Sequence, residues 1–337
     1  MNMPVASVRD RVTSAQWNSA QCHTSVVVAT YQRPGFLHQL VDALAAQTVP
    51  IEVVIVDDGS TDTTWSTLQS IAKASSLPLL AIRLDHTGGP SIPRNSAAMH
   101  ARGEIVIITD DDCLPEPGWA AGLSVALRDP AVVIAQGATR PTDDTHGPWD
   151  RTVSVAAPSG LYETCNLGIR RDRFIELGGF PVADVLARVP RGFGEDVLFG
   201  ARAARSGELA WAPDAVVRHR WVRTSYAEHL RGRWRSRGFP WLAEQVPELV
   251  ERLPARVFLS TRTLEFDAAV ASIVAASITR KPALLVATLP WLRRHVPAAK
   301  QRAGRPVAIR LAQEAIADGV GLGALVYGSV KHRRVVL

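Results

Sequence analysis

The chain has 337 residues, 47% of them hydrophobic, and a formal net charge of +6. That is enough apolar material for a large core and excludes a disordered chain. Three cysteines, Cys22, Cys113 and Cys165, have neither the number nor the spacing of a disulfide framework or zinc cluster. The charge is uneven: residues 1–217 carry 17 Lys/Arg against 24 Asp/Glu, and residues 218–337 carry 21 against 8. A basic carboxy-terminal part invites an anionic partner or complements the acidic part internally.

In chain order, residues 1–23 lack an apolar run and read as a leader without a secretory signal. Ser25–Thr30 (SVVVAT) is the first strong strand, and YQRPG turns into a helix over Phe36–Ala46. Ile51–Val56 is a second strand delivering Asp57 and Asp58 into DDGSTD, where Ser60 or Thr61 caps the next helix. Pro78–Leu84 is a third strand, and Asn95–Arg102 a short helix. Ile105–Thr109 follows as a strand covered on both faces and ends in Asp110, Asp111 and Asp112. Trp119–Leu127 reads as a helix and Ala131–Gln136 as a strand. The polar stretch 138–159 has no clear pattern. YETCNLGIRR reads as a strand bearing Asn166, with Gly178-Gly179-Phe180 as a stop signal. Glu195 and Asp196 open a helix, and short strands over Leu209–Ala212 and Ala215–Val217 lead to His219.

Short loops in a βαβα series predict a mostly parallel sheet covered by helices, with ligands beyond the carboxyl ends of its strands. Asp57, Asp58 and Asp110–Asp112 then share one edge. Clustered carboxylates repel one another and lose solvation, which a divalent cation with hard oxygen ligands offsets. A solvated acidic turn is the alternative. Two rival classes lack their signatures. ATYQRP has neither the glycine run nor the lysine of a nucleotidyltransferase phosphate loop, and no G-X-G-X-X-G follows the first strand.

VVVATYQRPGFLHQLVDAL, VVIVDDGSTD, GGPSIPRNSAAMHARGEIVIITDDDC, ETCNLGIRR and GGF followed by GFGEDVLFGARAARSG stand in this order over residues 24–221. In that order and spacing the chain resembles the inverting, nucleotide-sugar-dependent glycosyltransferases of family 2. The resemblance implies a GT-A fold: an α/β domain over 24–221 with a helical carboxy-terminal extension over 222–337. It implies that Thr30 and Tyr31 border the nucleotide, Arg33 lies near its phosphates, and Asp57 or Asp58 accepts from base or ribose. Arg94 matches the family arginine at the nucleotide. Asp110-Asp111-Asp112 matches the metal-binding Asp-X-Asp, with Asp112 coordinating Mn2+ or Mg2+, Asp110 reaching the ribose and the metal's water shell, and Asp111 beside them. Asp196 matches the catalytic base, and Glu195 binds acceptor or substitutes for it. Asn166 lies near the sugar or stabilises a turn. His219 completes the metal or diphosphate site, or is a half-buried histidine at the domain edge.

The implied partners are a nucleoside diphosphate sugar and a carbohydrate, lipid-linked or small-molecule acceptor in cell-envelope polysaccharide or glycoconjugate synthesis, with no nucleic acid. A nucleic-acid-binding module built on the basic tail accounts for its arginines but leaves the acidic strand ends unexplained. Processive relatives carry Gln-X-X-Arg-Trp. Here Leu230 replaces the glutamine before Arg233-Trp234, which weighs against a polymer synthase. The apolar stretches Ala268–Thr279 and Gly319–Val330 are 12 residues each. As helix each reaches about 18 Å, against a bilayer core of roughly 30 Å. In Tyr226–Trp241, alternating arginines with Trp234, Phe239 and Trp241 suit peripheral contact with anionic lipid. Packing on the catalytic domain or a homodimer contact is the other reading. The expected location is cytoplasmic, at the inner face of the membrane if the tail binds there.

Overall fold

The computed structural model describes residues 3–182, 189, 192–301 and 306–337. The chain divides into two compact units, one holding most of residues 1–222 and the other residues 223–337 with two short inserts from earlier in the chain.

The first unit is built on a mixed sheet. Its strands are β1 (Val8–Thr13), β2 (Thr24–Thr30), β3 (Ile51–Asp57), β4 (Leu79–Leu84), β5 (Ile105–Asp110), β6 (Cys113–Pro115), β7 (Val132–Pro141), β8 (Leu167–Arg170) and β9 (Glu208–His219). Their spatial order is β1-β4-β3-β2-β5-β8-β7-β9-β6. The neighbours β4, β3, β2 and β5 run parallel. Their side chains are buried on both faces, as the unbroken apolar runs require. Beyond β5 the direction alternates: β8 is antiparallel to β5 and β7, while β7 and β9 are parallel. The parallel series therefore covers the first half of the sheet, and the second half is mixed.

Helices α1 (Pro34–Ala45), α2 (Thr64–Ala74), α3 (Ser91–His100) and α4 (Trp119–Ala126) connect these strands. The core beneath them joins Leu37, Leu40 and Leu44 of α1 to Trp65 and Leu68 of α2, and Trp119 and Leu123 of α4 to the strands. α5 (Arg171–Glu176) and α6 (Glu195–Ala204) follow, with Phe174, Phe180 and Phe199 stacked around ring-centre distances of 4.6–5.6 Å.

Two expectations need correction. Val8–Thr13 lies in the stretch read as a leader but is an edge strand, antiparallel to β4. Its side chains are mostly exposed, so backbone pairing alone defines it. The two short strands around Pro213 are one strand. β9 bulges there: Gly137 pairs with Ala212 and Ala138 with Val216, so the extra residues loop out and the ladder resumes.

The second unit is helical: α7 (Tyr226–Trp234), α8 (Phe239–Gln245), α9 (Pro247–Glu251), α10 (Thr261–Thr279), α11 (Leu289–Gln301) and α12 (Val307–His332). A small core joins Ala243, Leu253, Leu325 and Val336. Buried Asp318 accepts from Arg233 (2.7 Å), Arg262 (2.7 Å) and Trp291 (2.9 Å). Among the described residues, no helix is long and apolar enough to cross a membrane.

Candidate active site at the carboxyl edge of the sheet

Register explains why the acidic groups meet. Thr30 lies opposite Asp57 on one side of β2, and Ala29 lies opposite Asp110 on the other. Three parallel strands thus end level, and the residues leaving them face one cleft. Immediately after Asp110–Asp112 the chain enters β6, whose Cys113 pairs with His219 of β9. That antiparallel pairing brings the imidazole to the carboxylates from a position more than a hundred residues away.

Two arginines carry much of the compensation for the acids. Arg33 donates through Nη1 to Asp111 (2.7 Å) and Asp112 (2.8 Å). Arg94 donates to Asp110 (2.6 Å) and reaches Glu195 at 3.5 Å. Asp111 also accepts from the Thr30 hydroxyl at 2.7 Å, so both its oxygens are engaged within the protein. Burial nevertheless pushes its carboxyl up to about 6, against the opposing pull of Arg33.

Asp112 differs. Its Oδ2 meets Arg33, but Oδ1 is buried without a hydrogen-bond partner and lies 3.5 Å from His219 Nε2. His219 Nδ1 is 2.9 Å from the Arg220 carbonyl oxygen, which can only accept. The proton therefore sits on Nδ1 in the neutral ring, leaving a lone pair on Nε2. Two acceptors then face each other in a buried place, which is the donor set of a cation. Cys113 Sγ lies within the same small cluster. Burial raises its thiol well above the ordinary value, which keeps it protonated and unsuited to a hard cation.

Asp58 serves the walls of the cleft. It accepts from the Thr87 hydroxyl (2.7 Å) and the amides of Gly88 (2.8 Å) and Gly89 (3.0 Å), fixing the loop before α3. Asp57 is wholly buried, accepts from the Ser60 amide at 3.1 Å and lies 3.6 Å from Arg83. Burial raises its carboxyl. Asn166 is placed away from the cleft. Its oxygen accepts from the Trp119 indole at 2.8 Å, and its amide donates to the Ala138 (2.8 Å) and Ala215 (2.9 Å) carbonyls. Those bonds tie α4, β7 and β9 together, so the expected place near the sugar gives way to a structural one.

Glu195 and Asp196 begin α6 after Gly194, which has a left-handed φ of 81°. Both are held at the positive end of the helix dipole. Glu195 is buried against Arg94. Asp196 receives the Val197 amide at 2.8 Å, and burial together with Glu195 pushes its carboxyl up to about 8. Arg94 lies between these acids and Asp110, so the start of α6 and the strand edge are one side chain apart.

The cleft is a cavity of about 630 Å³. Thr30, Tyr31, Arg33, Asp58, Arg94, Asp110, Asp111, Asp112 and His219 all line it, whereas Asp57, Asn166, Glu195 and Asp196 are not among its lining residues. Reading from the sequence misses two walls, Thr87 with Gly89 and Pro90, and Arg151 with Thr152 and Val153. The glycine pair was a visible signal for the first. The second lies in the polar stretch, where β-bridges from Val155 to Thr139 and from Arg151 to Val222 impose order that no local pattern carries.

The family model described as "Glycosyl transferase family 2" matches residues 25–182. The match places residues 25–182, just under half of the chain, with glycosyl transferase family 2. The chain is 42% identical over 93 residues to the poly(ribitol-phosphate) beta-N-acetylglucosaminyltransferase TarS of Staphylococcus aureus, covering 26% of this chain and 16% of that protein. This chain thus matches only a small share of that relative's length. The glucosyl-dolichyl phosphate glucuronosyltransferase of Haloferax volcanii is 26% identical over 221 residues, covering 55% of this chain and 69% of that one. Among solved structures, a mannosyltransferase from Pyrobaculum calidifontis in complex with GDP-Man and Mn2+ superimposes with a TM-score of 0.56 at 21% identity, covering 94% of this chain and 88% of that one. The shared architecture is the GT-A fold with a helical carboxy-terminal region.

Proposed function

We propose that the protein transfers a sugar, with inversion, from a nucleoside diphosphate donor to an acceptor hydroxyl. The observation carrying this reading is the pair of opposed acceptors, Asp112 Oδ1 and His219 Nε2, in a cleft large enough for a nucleotide sugar. In this account Asp112 and His219 hold a divalent cation, Mn2+ or Mg2+. Such a cation supplies positive charge to the departing diphosphate. Tyr31 and Thr30 border the nucleotide, and Asp58 keeps the Thr87–Gly89 loop in place beside it. Arg33 orients Asp111 and Asp112, and Arg94 holds Asp110 toward the donor while restraining Glu195.

Asp196 acts as general base, accepting the proton of the acceptor hydroxyl as its oxygen attacks the anomeric carbon opposite the leaving group. Its raised pKa supports this role, because the carboxylate binds a proton more tightly than an exposed aspartate does. The acceptor is a hydroxyl-bearing polymer or lipid-linked glycan of the cell envelope. The named activities of the Staphylococcus and Haloferax relatives support that class.

The test is a panel of nucleoside diphosphate sugars with Mn2+ or Mg2+, scoring nucleoside diphosphate release with and without acceptor. Asp196→Asn retains donor binding and loses transfer by about 10²–10⁴-fold. Full transfer by that variant would remove Asp196 from the role of base.

A further inference from the structure

The second unit exposes apolar side chains along α12, Ile316 and Val330 among them, and at one hairpin whose sequence gathers several of them. The last turns of α10, the loop at Arg280 and Lys281, and the 3-10 segment Pro282–Thr288 pack as a hairpin. Its outer surface presents Ile273, Val274 and Ile278 from α10 and Leu285, Val286 and Leu289 from the return. Ile278 is 77% exposed and Val286 64% exposed, so these are whole side chains in solvent. Clustered apolar exposure of this kind marks a surface meant to be covered.

Charge identifies the cover. No acidic residue occurs between Asp267 and Glu314, and the hairpin tip carries exposed Arg280 and Lys281. The acids of α10 stay at its base, where Glu265 pairs with Arg294 at 2.5 Å. The element is thus ionic at the base, and apolar with a cationic rim at the tip. We infer that this hairpin dips into the interface of an anionic lipid bilayer, its apolar side chains among the acyl chains and Arg280 and Lys281 at the headgroups. Its depth fits: α10 from Ala268 onward is 12 residues, about 18 Å of helix, which enters one leaflet without spanning roughly 30 Å of hydrocarbon. The tip has no acid of its own to neutralise Arg280 and Lys281, and anionic headgroups supply that charge.

This assignment replaces Tyr226–Trp241 as the contact. There Trp241 is buried, Phe239 packs on the small core, and Arg233 is committed to Asp318. The inference is independent of the reaction assigned to the first unit.

The experiment is co-sedimentation of the full chain with vesicles of phosphatidylcholine alone or with 30 mol% phosphatidylglycerol, at low and high salt. The parent binds the anionic vesicles, and binding falls at high salt and with the neutral ones. Ile278→Asp/Val286→Asp lowers the partition by about tenfold or more, and Arg280→Glu/Lys281→Glu removes the preference for phosphatidylglycerol. All four positions are exposed, and an unchanged circular dichroism melt verifies folding. A parent that ignores anionic vesicles, or an Ile278→Asp/Val286→Asp variant that binds like it, overturns the inference. So does a dimer in size-exclusion chromatography that this variant dissociates while vesicle binding persists.

Discussion

At the scale of single residues, the acidic cluster has two kinds of member. Asp110 and Asp111 are partnered by Arg94, Arg33 and Thr30, whereas Asp112 keeps one oxygen directed at an imidazole lone pair. The residues alone give all three the same chemistry, and in the sequence only the family resemblance separates their roles. Their division of labour depends on Arg33, Arg94 and His219, which come from other elements, and no local pattern reveals which of the three acids each one meets. Asp196 carries a pH prediction. Its pKa stands near 8, above the ordinary aspartate range, so the base is neutral below that pH. The account predicts that kcat/KM rises with pH through about 8, by roughly tenfold per unit below it. The same shift makes the folded state bind the proton more tightly, so this group's contribution lowers stability as pH rises from the ordinary aspartate range to 8. A profile flat between pH 6 and 9 would contradict the role. Asp58 carries another. Asp58→Ala takes a shared acceptor from the Thr87 hydroxyl and the Gly88 and Gly89 amides, and denaturant titration is expected to show a loss of about 1–3 kcal/mol.

At the scale of elements, the parallel strands were legible because a buried strand must be apolar along its length, and turn residues bracketed each one. β1 was not, since VRDRVT shows no apolar pattern and an exposed edge strand needs none. β9 was divided in error at Pro213 because proline interrupts a ladder. The structure accommodates it with a bulge, and Asn166 bridges the carbonyls of Ala138 and Ala215 on its two sides. Gly137 is the opening that permits this approach. A Cβ there would collide with the Ala215 carbonyl and the Asn166 amide. Gly137→Ala should therefore cost about 1–3 kcal/mol, read as a lower melting temperature, with no comparable effect from substitution at open Gly35 beyond helix propensity.

At the scale of the whole molecule, the basic surplus of the carboxy-terminal part is partly spent inside it. Arg233 and Arg262 converge on buried Asp318, Arg262 also meets Glu314 at 2.9 Å, and Arg294 meets Glu265. Removing the shared anion leaves Arg233 without its carboxylate and Arg262 with Glu314 alone, each arginine being about a quarter exposed. Asp318→Ala should cost toward the low end of about 3–5 kcal/mol, and hydrogen exchange should locate the loss within residues 223–337. Composition disclosed the surplus but not its use, because ion pairing between helices depends on packing rather than on spacing.

The central claim concerns the cation site between Asp112 and His219, and titration calorimetry of the nucleotide-sugar panel tests it most directly. The account predicts that at least one donor binds with Mn2+ or Mg2+ present and not with a chelator, and that Asp112→Ala and His219→Ala abolish or sharply weaken that binding while the fold persists. Donor binding unaffected by chelation, or equal in Asp112→Ala and the parent, would contradict it.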